Sequence, residues 1–529
     1  MPVVEASKWA SQYMKRKVTI SNIAYLIQYA KINKYEDGDG KTFVDIDELK
    51  NYYDTYVLNV EKQWKKKLGE DIDWNLAFDV LPEKERTKHV HGLHPYKGKF
   101  IPQLVEYFLD RHTDDFKKES YFAEGDIVID PFMGSGTTLV VALEYGINSI
   151  GIDISEFNCI LANVKTGDYD IFTLNFKLEK ALSSLEAFSR NTFSEDLDIE
   201  IQEKLSQFNK QYFPAIEYKK KVRNGEIDAN KYSKDKFEEF LRINKDLKEK
   251  KRVLDFGEPR EIDTTKDFIS TWYNRRIRKE LSFYVELIKR EDDPAVANVM
   301  KAILSRTARS CRATTHSDLA TLVKPQYGPY YCEKHFKICT PVNSIIKHIR
   351  TNTYDTIERL DQYSRLKKNN VVASVIHGDS RNIDVTEALQ KINSNASKLL
   401  SRKIDGVFTS PPYVGQINYH EQHAYSYEMF NIPREDENEI GSMSKGKGKA
   451  AQQEYIEGIS MVLRNISRFV KDNGNYFIVA NDKFALYPEI AKRSGFEIIQ
   501  EYKRPVLNRT ERDRQPYWES IFHIRKISA

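Results

Sequence analysis

Residues 126–155 read DIVIDPFMGSGTTLVVALEYGINSIGIDIS. The opening DIVIDPF is short, apolar and β-branched, and it ends at Pro131, which cannot donate to a sheet ladder. GTTLVVALEYG has the texture of a helix that closes at Gly146, and SIGIDIS is a second buried strand. Strand, tight turn, helix and strand make a βαβ unit, the start of a doubly wound α/β sheet. In the turn, Gly134 and Gly136 let backbone N–H groups approach a ligand closely at a helix N-terminus. GSGTT lacks the GK[ST] ending that supplies a cation to β- and γ-phosphates, and it is not a full GxGxxG fingerprint. Asp153, at the end of the second strand, can accept both hydroxyls of a ribose. A nucleoside pocket with no pyrophosphate requirement follows; a tight βα turn with an incidental acid is the plainer alternative.

Outward from this unit, strand texture returns only at VVASVIHGD (371–379), IDGVFTS (404–410), GNYFIVAND (474–482), GFEIIQEYK (495–503) and ESIFHIRK (519–526). The intervening segment 171–369 is polar and helical in pattern, so one sheet is expected to be split by a large insertion. At the other end, VTISNIAYLIQYAKINKYEDGDGKTFVDIDELKNYYD (from Val18) reads as helices around a turn and strand. It resembles a small winged helix-turn-helix of the excisionase type, although such helices with a hairpin also occur in domains that bind no DNA.

The chain has 529 residues, enough for roughly two to four domains. With 40% hydrophobic and 30% charged residues it is globular rather than disordered. A net charge of +4 neither demands nor excludes nucleic acid, so clustering of basic residues decides. MPVVEASKWASQYMKRK contains no apolar h-region, and no apolar run approaches the roughly 18 residues of a membrane span. Four cysteines make a disulfide framework improbable and a reducing interior the default, which gives a cytoplasmic expectation.

TSPPY, 409–413, follows the strand IDGVF and marks a sharp turn at the carboxyl edge of a sheet, where open α/β folds bind ligands. Together, DPFMGSGTT and TSPPY resemble the paired motifs of S-adenosylmethionine-dependent DNA methyltransferases that modify exocyclic amino groups. HGLHPYKGKFIPQLVEYFL (91–109) is similar to the segment which that family places over the methionine end of the cofactor. IHGDSRNI (376–383) is similar to its third-strand motif, whose acid lies near the adenine. The order is closest to the arrangement with target recognition in the middle, except that the insertion falls before HGDS rather than after it.

The resemblance implies a Rossmann-like doubly wound methyltransferase sheet from 61–170 and 370–529, a helix-rich insertion 171–369 as target recognition domain, and a helical or winged-helix-like module over 1–60. It implies S-adenosyl-L-methionine held by Tyr96, Lys97, Asp130, Phe132, Gly134, Ser135, Gly136, Thr137, Thr138, Asp153, Ile154, Asp379 and Ser380. It further implies catalysis by Ser410, Pro411, Pro412 and Tyr413. The Ser410 side chain and Pro411 carbonyl would accept the amino hydrogens, and Tyr413 would stack on a base that has left the duplex. Double-stranded DNA is the implied partner, with a separate restriction endonuclease as a further candidate.

Methylation of a ring carbon is disfavoured, because it needs a cysteine nucleophile in a Pro-Cys context and none of Cys159, Cys311, Cys332 or Cys339 follows a proline. Serine rather than aspartate before PPY leans the comparison towards cytosine-N4. Adenine-N6 is the nearest alternative; RNA methylation and a non-catalytic DNA-binding regulator stand behind it. Basic residues interleaved with aromatics nominate Arg275, Arg276, Arg509, Arg512 and Arg514 for DNA, and SKGKGKA adds Lys445 and Lys447 on a loop after the catalytic turn. A solvated helix face is the alternative for the first pair. NYHEQHAY spaces His420 and His423 three apart, which fails the HExxH template. Cys311, Cys332, His335 and Cys339, with His316 nearby, could form a tetrahedral zinc site, against the alternative of free core cysteines.

Overall fold

In a computed structural model of the chain, the described residues are 1–14, 18–28, 31–36, 41–55, 62, 66–67, 72–78, 81, 83–96, 98–194, 196–246, 268–319, 322–392, 399, 402–416, 418–506 and 517–527. They divide into two compact units. One comprises 68–181, 285–306 and 350–529; the other comprises 1–67, 182–284 and 307–349.

The first unit is built on a seven-stranded sheet: β1 (Ile127–Asp130), β2 (Asn148–Asp153), β3 (Ala373–His377), β4 (Ile404–Thr409), β5 (Val470–Ala480), β6 (Phe496–Pro505) and β7 (Trp518–Lys526). Across the sheet the order is β3-β2-β1-β4-β5-β7-β6. The first five run parallel, and β7 is antiparallel to both β5 and β6. This is the doubly wound α/β sheet expected from the sequence.

Burial on both faces explains the nearly continuous apolar strands. Ile127, Ile129, Val407, Tyr476, Ile478, Phe522 and Ile524 share one core with the helix Lys449–Ser467. Their alternate neighbours Val128, Phe408, Phe477, Val479 and Ile521 share another with the helix Pro102–Leu109. The period of two along each strand sorts side chains between the two layers.

Strand order reverses between β1 and β4, which lie side by side with Val128 opposite Gly406 and Ile129 opposite Val407. The carboxyl ends of these two strands therefore open onto the same switch point, the usual ligand crevice of such sheets.

In the second unit, the helices Val3–Tyr13, Ile20–Gln28 and Ile46–Tyr53 flank a two-stranded ladder of Tyr35–Glu36 with Thr42–Phe43. Ala6, Ala10, Ile23, Leu26, Val44 and Leu49 form its core. Helices Asp196–Tyr212, Ala215–Arg223 and Ala229–Ile243 gather Leu205, Phe208, Phe213, Tyr218 and Phe240 into a separate core with Ile338. Among the described residues no helix is long and apolar enough to cross a membrane.

Candidate active site

Where β1 ends, the backbone bends twice through the left-handed region, at Gly134 (φ +50°) and Gly136 (φ +78°). A Cβ at Gly134 would sit 3.3 Å from the Tyr96 ring, and one at Gly136 would sit 3.0 Å from Ala162 Cβ, so torsion favours glycine at both positions and the space beside each is tight. The bend is held from β2: Asp153 Oδ2 accepts the Gly134 N–H at 2.9 Å, while its Oδ1 accepts from Ser155 N (2.8 Å) and Asn158 Nδ2 (3.0 Å). Burial raises the Asp153 carboxyl to about 6, against these hydrogen bonds. Asn158 also donates to the Tyr96 hydroxyl at 3.2 Å, and buried Lys165 donates to the Ser135 carbonyl at 2.6 Å.

Where β4 ends, Thr409 donates to Asp130 Oδ1 at 2.6 Å, and Thr138 donates to Asp130 Oδ2 at 2.6 Å. Asp130 thus sits behind the glycine turn rather than in the cavity, and ties the ends of β1 and β4 to the first turn of the following helix. It is 1% exposed, and burial raises its carboxyl to about 6 despite the hydrogen bonds from Thr138, Thr409 and the Phe132 N–H.

Both corners open into one cavity whose empty space, open solvent included, is about 870 Å³. From the sequence-nominated set, Tyr96, Phe132, Gly134, Ser135, Thr137, Asp153, Ile154, Asp379, Ser380, Ser410 and Pro412 line it. Asp379 is paired with Arg381 (2.6 Å), and the Ser380 hydroxyl donates to the Pro131 carbonyl at 2.7 Å. Four of the lining residues carry a buried polar atom without a hydrogen-bond partner among the described residues: Ser135 Oγ, Thr137 Oγ1, Asn158 Oδ1 and His420 Nδ1. Orphaned polar atoms around a cavity are the donors and acceptors a polar ligand would use. Two hydroxyls and the glycine bend at a helix N-terminus suit a carboxylate, and Asn158 Oδ1 suits an ammonium. The residues therefore fit an amino-acid-bearing nucleoside.

The remaining nominated residues are not among those lining this cavity. Thr138 is buried beside Asp130, and Gly136 caps the helix Thr137–Glu144. Pro411 is buried, and the half-buried Tyr413 donates its hydroxyl to Glu519 at 2.9 Å. Lys97, Arg509, Arg512 and Arg514 fall outside the described residues. Arg276 is not free to meet a phosphate: it is buried in the second unit, where Nε donates to Glu280 and a terminal nitrogen donates to Ser189. Its neighbour Arg275 is exposed. Lys445 is paired with Glu454 and donates to the Glu439 carbonyl, whereas Lys447 is exposed. The loop carrying both lysines packs on the segment that follows β4, since a Cβ on Gly415 would lie 2.5 Å from the Gly446 carbonyl oxygen. Cys311 is buried apart from the other cysteines; His316 takes its place beside Cys332, His335 and Cys339.

The cavity also recruits Lys99, Ser155, Asn158, His420 and Glu439, which the sequence reading did not nominate. Asn158 had a signal, because it lies on the first turn of the helix Glu156–Thr166 that follows Asp153. Glu439 had none; His420 stood out as a histidine close after SPPY, to be read as surface or substrate-side, and it is buried on the short helix Tyr419–Gln422, where its backbone N–H donates to Glu439 Oε1 at 2.8 Å. Lys99 donates to the His91 carbonyl, and burial lowers its ammonium to about 8.

A family model for N6/N4 DNA methylases matches residues 8–164. The chain is 51% identical to Type II methyltransferase M.MjaII of Methanocaldococcus jannaschii, over 99% of this chain and 96% of that protein. Shorter similarities reach Type II methyltransferase M.BsoBI of Geobacillus stearothermophilus, 31% identical over 23% of this chain and 21% of that one. Type II methyltransferase M.MvaI of Kocuria varians is 33% identical over 25% of this chain and 27% of its own.

Proposed function

The chain belongs to the S-adenosylmethionine-dependent DNA amino-methyltransferases, and we propose that it methylates the N4 amino group of a cytosine extruded from duplex DNA. The observation that carries this reading is the single cavity lined at once by Gly134, Ser135, Asp153 and Asp379 and by Ser410 and Pro412. Ser135, Thr137 and Asn158 would hold the amino-acid end of the donor. Asp153 would take the ribose, and Ile154 and Asp379 would border the adenine. When bound, S-adenosylmethionine supplies an electrophilic methyl group on a sulfonium.

The exocyclic nitrogen is a poor nucleophile because its lone pair is delocalised into the ring. Ser410 Oγ and the Pro411 carbonyl would accept its two hydrogens and turn the lone pair out of the ring plane towards the methyl. Serine is too weak a base to remove a proton first; the nitrogen loses one readily after transfer has made it cationic. Two successive prolines stiffen the direction of the carbonyl. Tyr413 would stack on the extruded base, its ring steadied by the bond to Glu519. Serine rather than aspartate before PPY, which the family resemblance associates with cytosine-N4, is the support for cytosine.

Every residue lining the cavity comes from 96–158 or 378–462. This supports assigning catalysis to 61–170 and 370–529, and target choice to 171–369 with the module 1–60. A restriction endonuclease of matching specificity is the proposed counterpart. Transfer of a labelled methyl group to duplex oligonucleotides, followed by nucleoside analysis, tests the assignment. N4-methylcytosine is expected. N6-methyladenine as the sole product would overturn the base assignment, and no transfer to any duplex would overturn the activity.

A further inference from the structure

A second constellation lies in the unit formed by 1–67, 182–284 and 307–349, and methyl transfer makes no use of it. The strands Tyr330–Cys332 and Lys337–Cys339 pair antiparallel, with Tyr330 opposite Cys339 and Tyr331 opposite Ile338. Alternation sends Tyr331 and Ile338 into the core shared with Leu205, Phe208 and Phe213, and turns Cys332 and Cys339 to the other face. The connecting turn is tight: the Phe336 N–H donates to the Cys332 carbonyl at 2.7 Å, with Phe336 itself at φ +55°. That winding folds His335 back over the cysteines. His316, from a distant loop, completes the set, with its ring centroid 4.3 Å from that of His335.

All four side chains offer ligand atoms within 4.8 Å of one another. Cys332 Sγ is 3.7 Å from His316 Nδ1, and Cys339 Sγ is 3.6 Å from His335 Nδ1. A tetrahedron with Zn–S of about 2.3 Å and Zn–N of about 2.0 Å has N···S edges of roughly 3.5 Å. Thiols are poor hydrogen-bond donors, so such contacts alone give little reason for two Cys–His pairs to converge. The Tyr330 hydroxyl accepts the His316 backbone N–H at 3.0 Å, which holds the loop bearing His316 against the hairpin.

We infer that His316, Cys332, His335 and Cys339 bind one structural Zn²⁺, which clamps the hairpin 330–339 to the loop bearing His316. Two thiolates and two neutral imidazoles balance the charge of the ion. Four protein ligands leave no open position, so the site is structural rather than catalytic. Zinc binding displaces the two thiol protons to solvent and changes no oxidation state.

The test uses the full-length protein purified without chelator. Elemental analysis should find one zinc per chain, and exchange with cobalt should give a thiolate-to-cobalt charge-transfer band. Cys332→Ser and Cys339→Ser should each lose the metal, and His316→Ala should weaken its retention, while Cys311→Ser should retain it in full. Stripping the metal should lower the unfolding temperature of the wild type, and added zinc should restore it. Three results would each overturn the inference: a zinc-free protein whose unfolding temperature ignores added zinc, a cobalt form without the sulfur band, or a Cys332–Cys339 disulfide found by peptide mapping. The wild-type readouts decide the matter even if a variant fails to fold.

Discussion

Thr409→Val tests the link between the two corners most directly. Valine keeps the shape of threonine but removes the hydroxyl that donates to Asp130 at 2.6 Å. Asp130 then keeps only the Phe132 N–H on Oδ1 and the Thr138 hydroxyl on Oδ2. A hydrogen bond to a buried ionised acceptor contributes about 1.5–3 kcal/mol, so destabilisation of that size is expected where Asp130 is charged. The sign with pH follows from burial. Asp130 has its folded pKa raised from 3.8 to about 6, so below 3.8 it is protonated in both folded and unfolded states, and above 6 it is ionised in both. Its contribution to stability therefore falls as pH rises through that window, by about 3 kcal/mol, because each pKa unit is worth about 1.4 kcal/mol. The Thr409 hydroxyl offsets part of that cost only when the carboxylate is charged. The difference between variant and wild type should accordingly be full near about pH 8 and shrink towards about pH 5. Denaturant unfolding of both proteins at the two pH values measures it, with common acid effects cancelling in the difference. Equal losses at both values would refute the reasoning. Methyl transfer near about pH 8 should also slow, since a shift of about 1 Å between corners can cost on the order of 100-fold.

Tyr413→Ala should lower turnover sharply while leaving cofactor affinity largely intact, and Tyr413→Phe, which keeps the ring but loses the hydroxyl's contacts with Glu519 and Ser410, should retain more activity than the alanine variant; unchanged turnover in the alanine variant would remove the stacking role. Ser410→Ala should reduce kcat on the order of 100-fold with little change in cofactor binding, measured by single-turnover transfer against equilibrium titration. Asp153→Asn replaces one acceptor with a donor facing Gly134 N–H or Ser155 N–H. It should weaken cofactor binding by roughly 10- to 100-fold, the value of a charge-assisted hydrogen bond, as titration calorimetry would show.

Much of the sheet was legible because its signals are local. A β-branched run stopped by a proline, two glycines and a second apolar run suffice for β1, its turn and β2, and Asp153 is placed by strand length alone. Ser410 and Pro412 were legible for the same reason. What escaped was set by tertiary packing. Asp130 reads as a lining acid beside a glycine turn, yet its side chain points back to Thr138 and Thr409, because a carboxylate at that depth needs two hydroxyl donors more than it needs solvent. Arg276 reads as half of a basic pair, but the helix period turns it inward onto Glu280, four residues on, while Arg275 faces out. His316 was noted only as a neighbour of the cysteines, since nothing in its spacing announces that the chain returns to the hairpin.

The long excursion between β2 and β3 does not separate the corners, for a physical reason. Parallel strands joined by a crossover must re-enter the sheet in the same direction, whatever the crossover contains. A connection of any length therefore returns the carboxyl end of β3, and then that of β4, to the edge where β1 and β2 already end. Loop-closure cost grows only with the logarithm of length, by about 0.6 kcal/mol per doubling, so residues 167–372 add little to the cost of pairing β3 with β2. The parts of the excursion outside the sheet's unit, 182–284 and 307–349, are thus free to vary in sequence and size while the ends of β1 and β4 stay joined through Asp130. Changes there leave Ser410 where it is relative to Gly134.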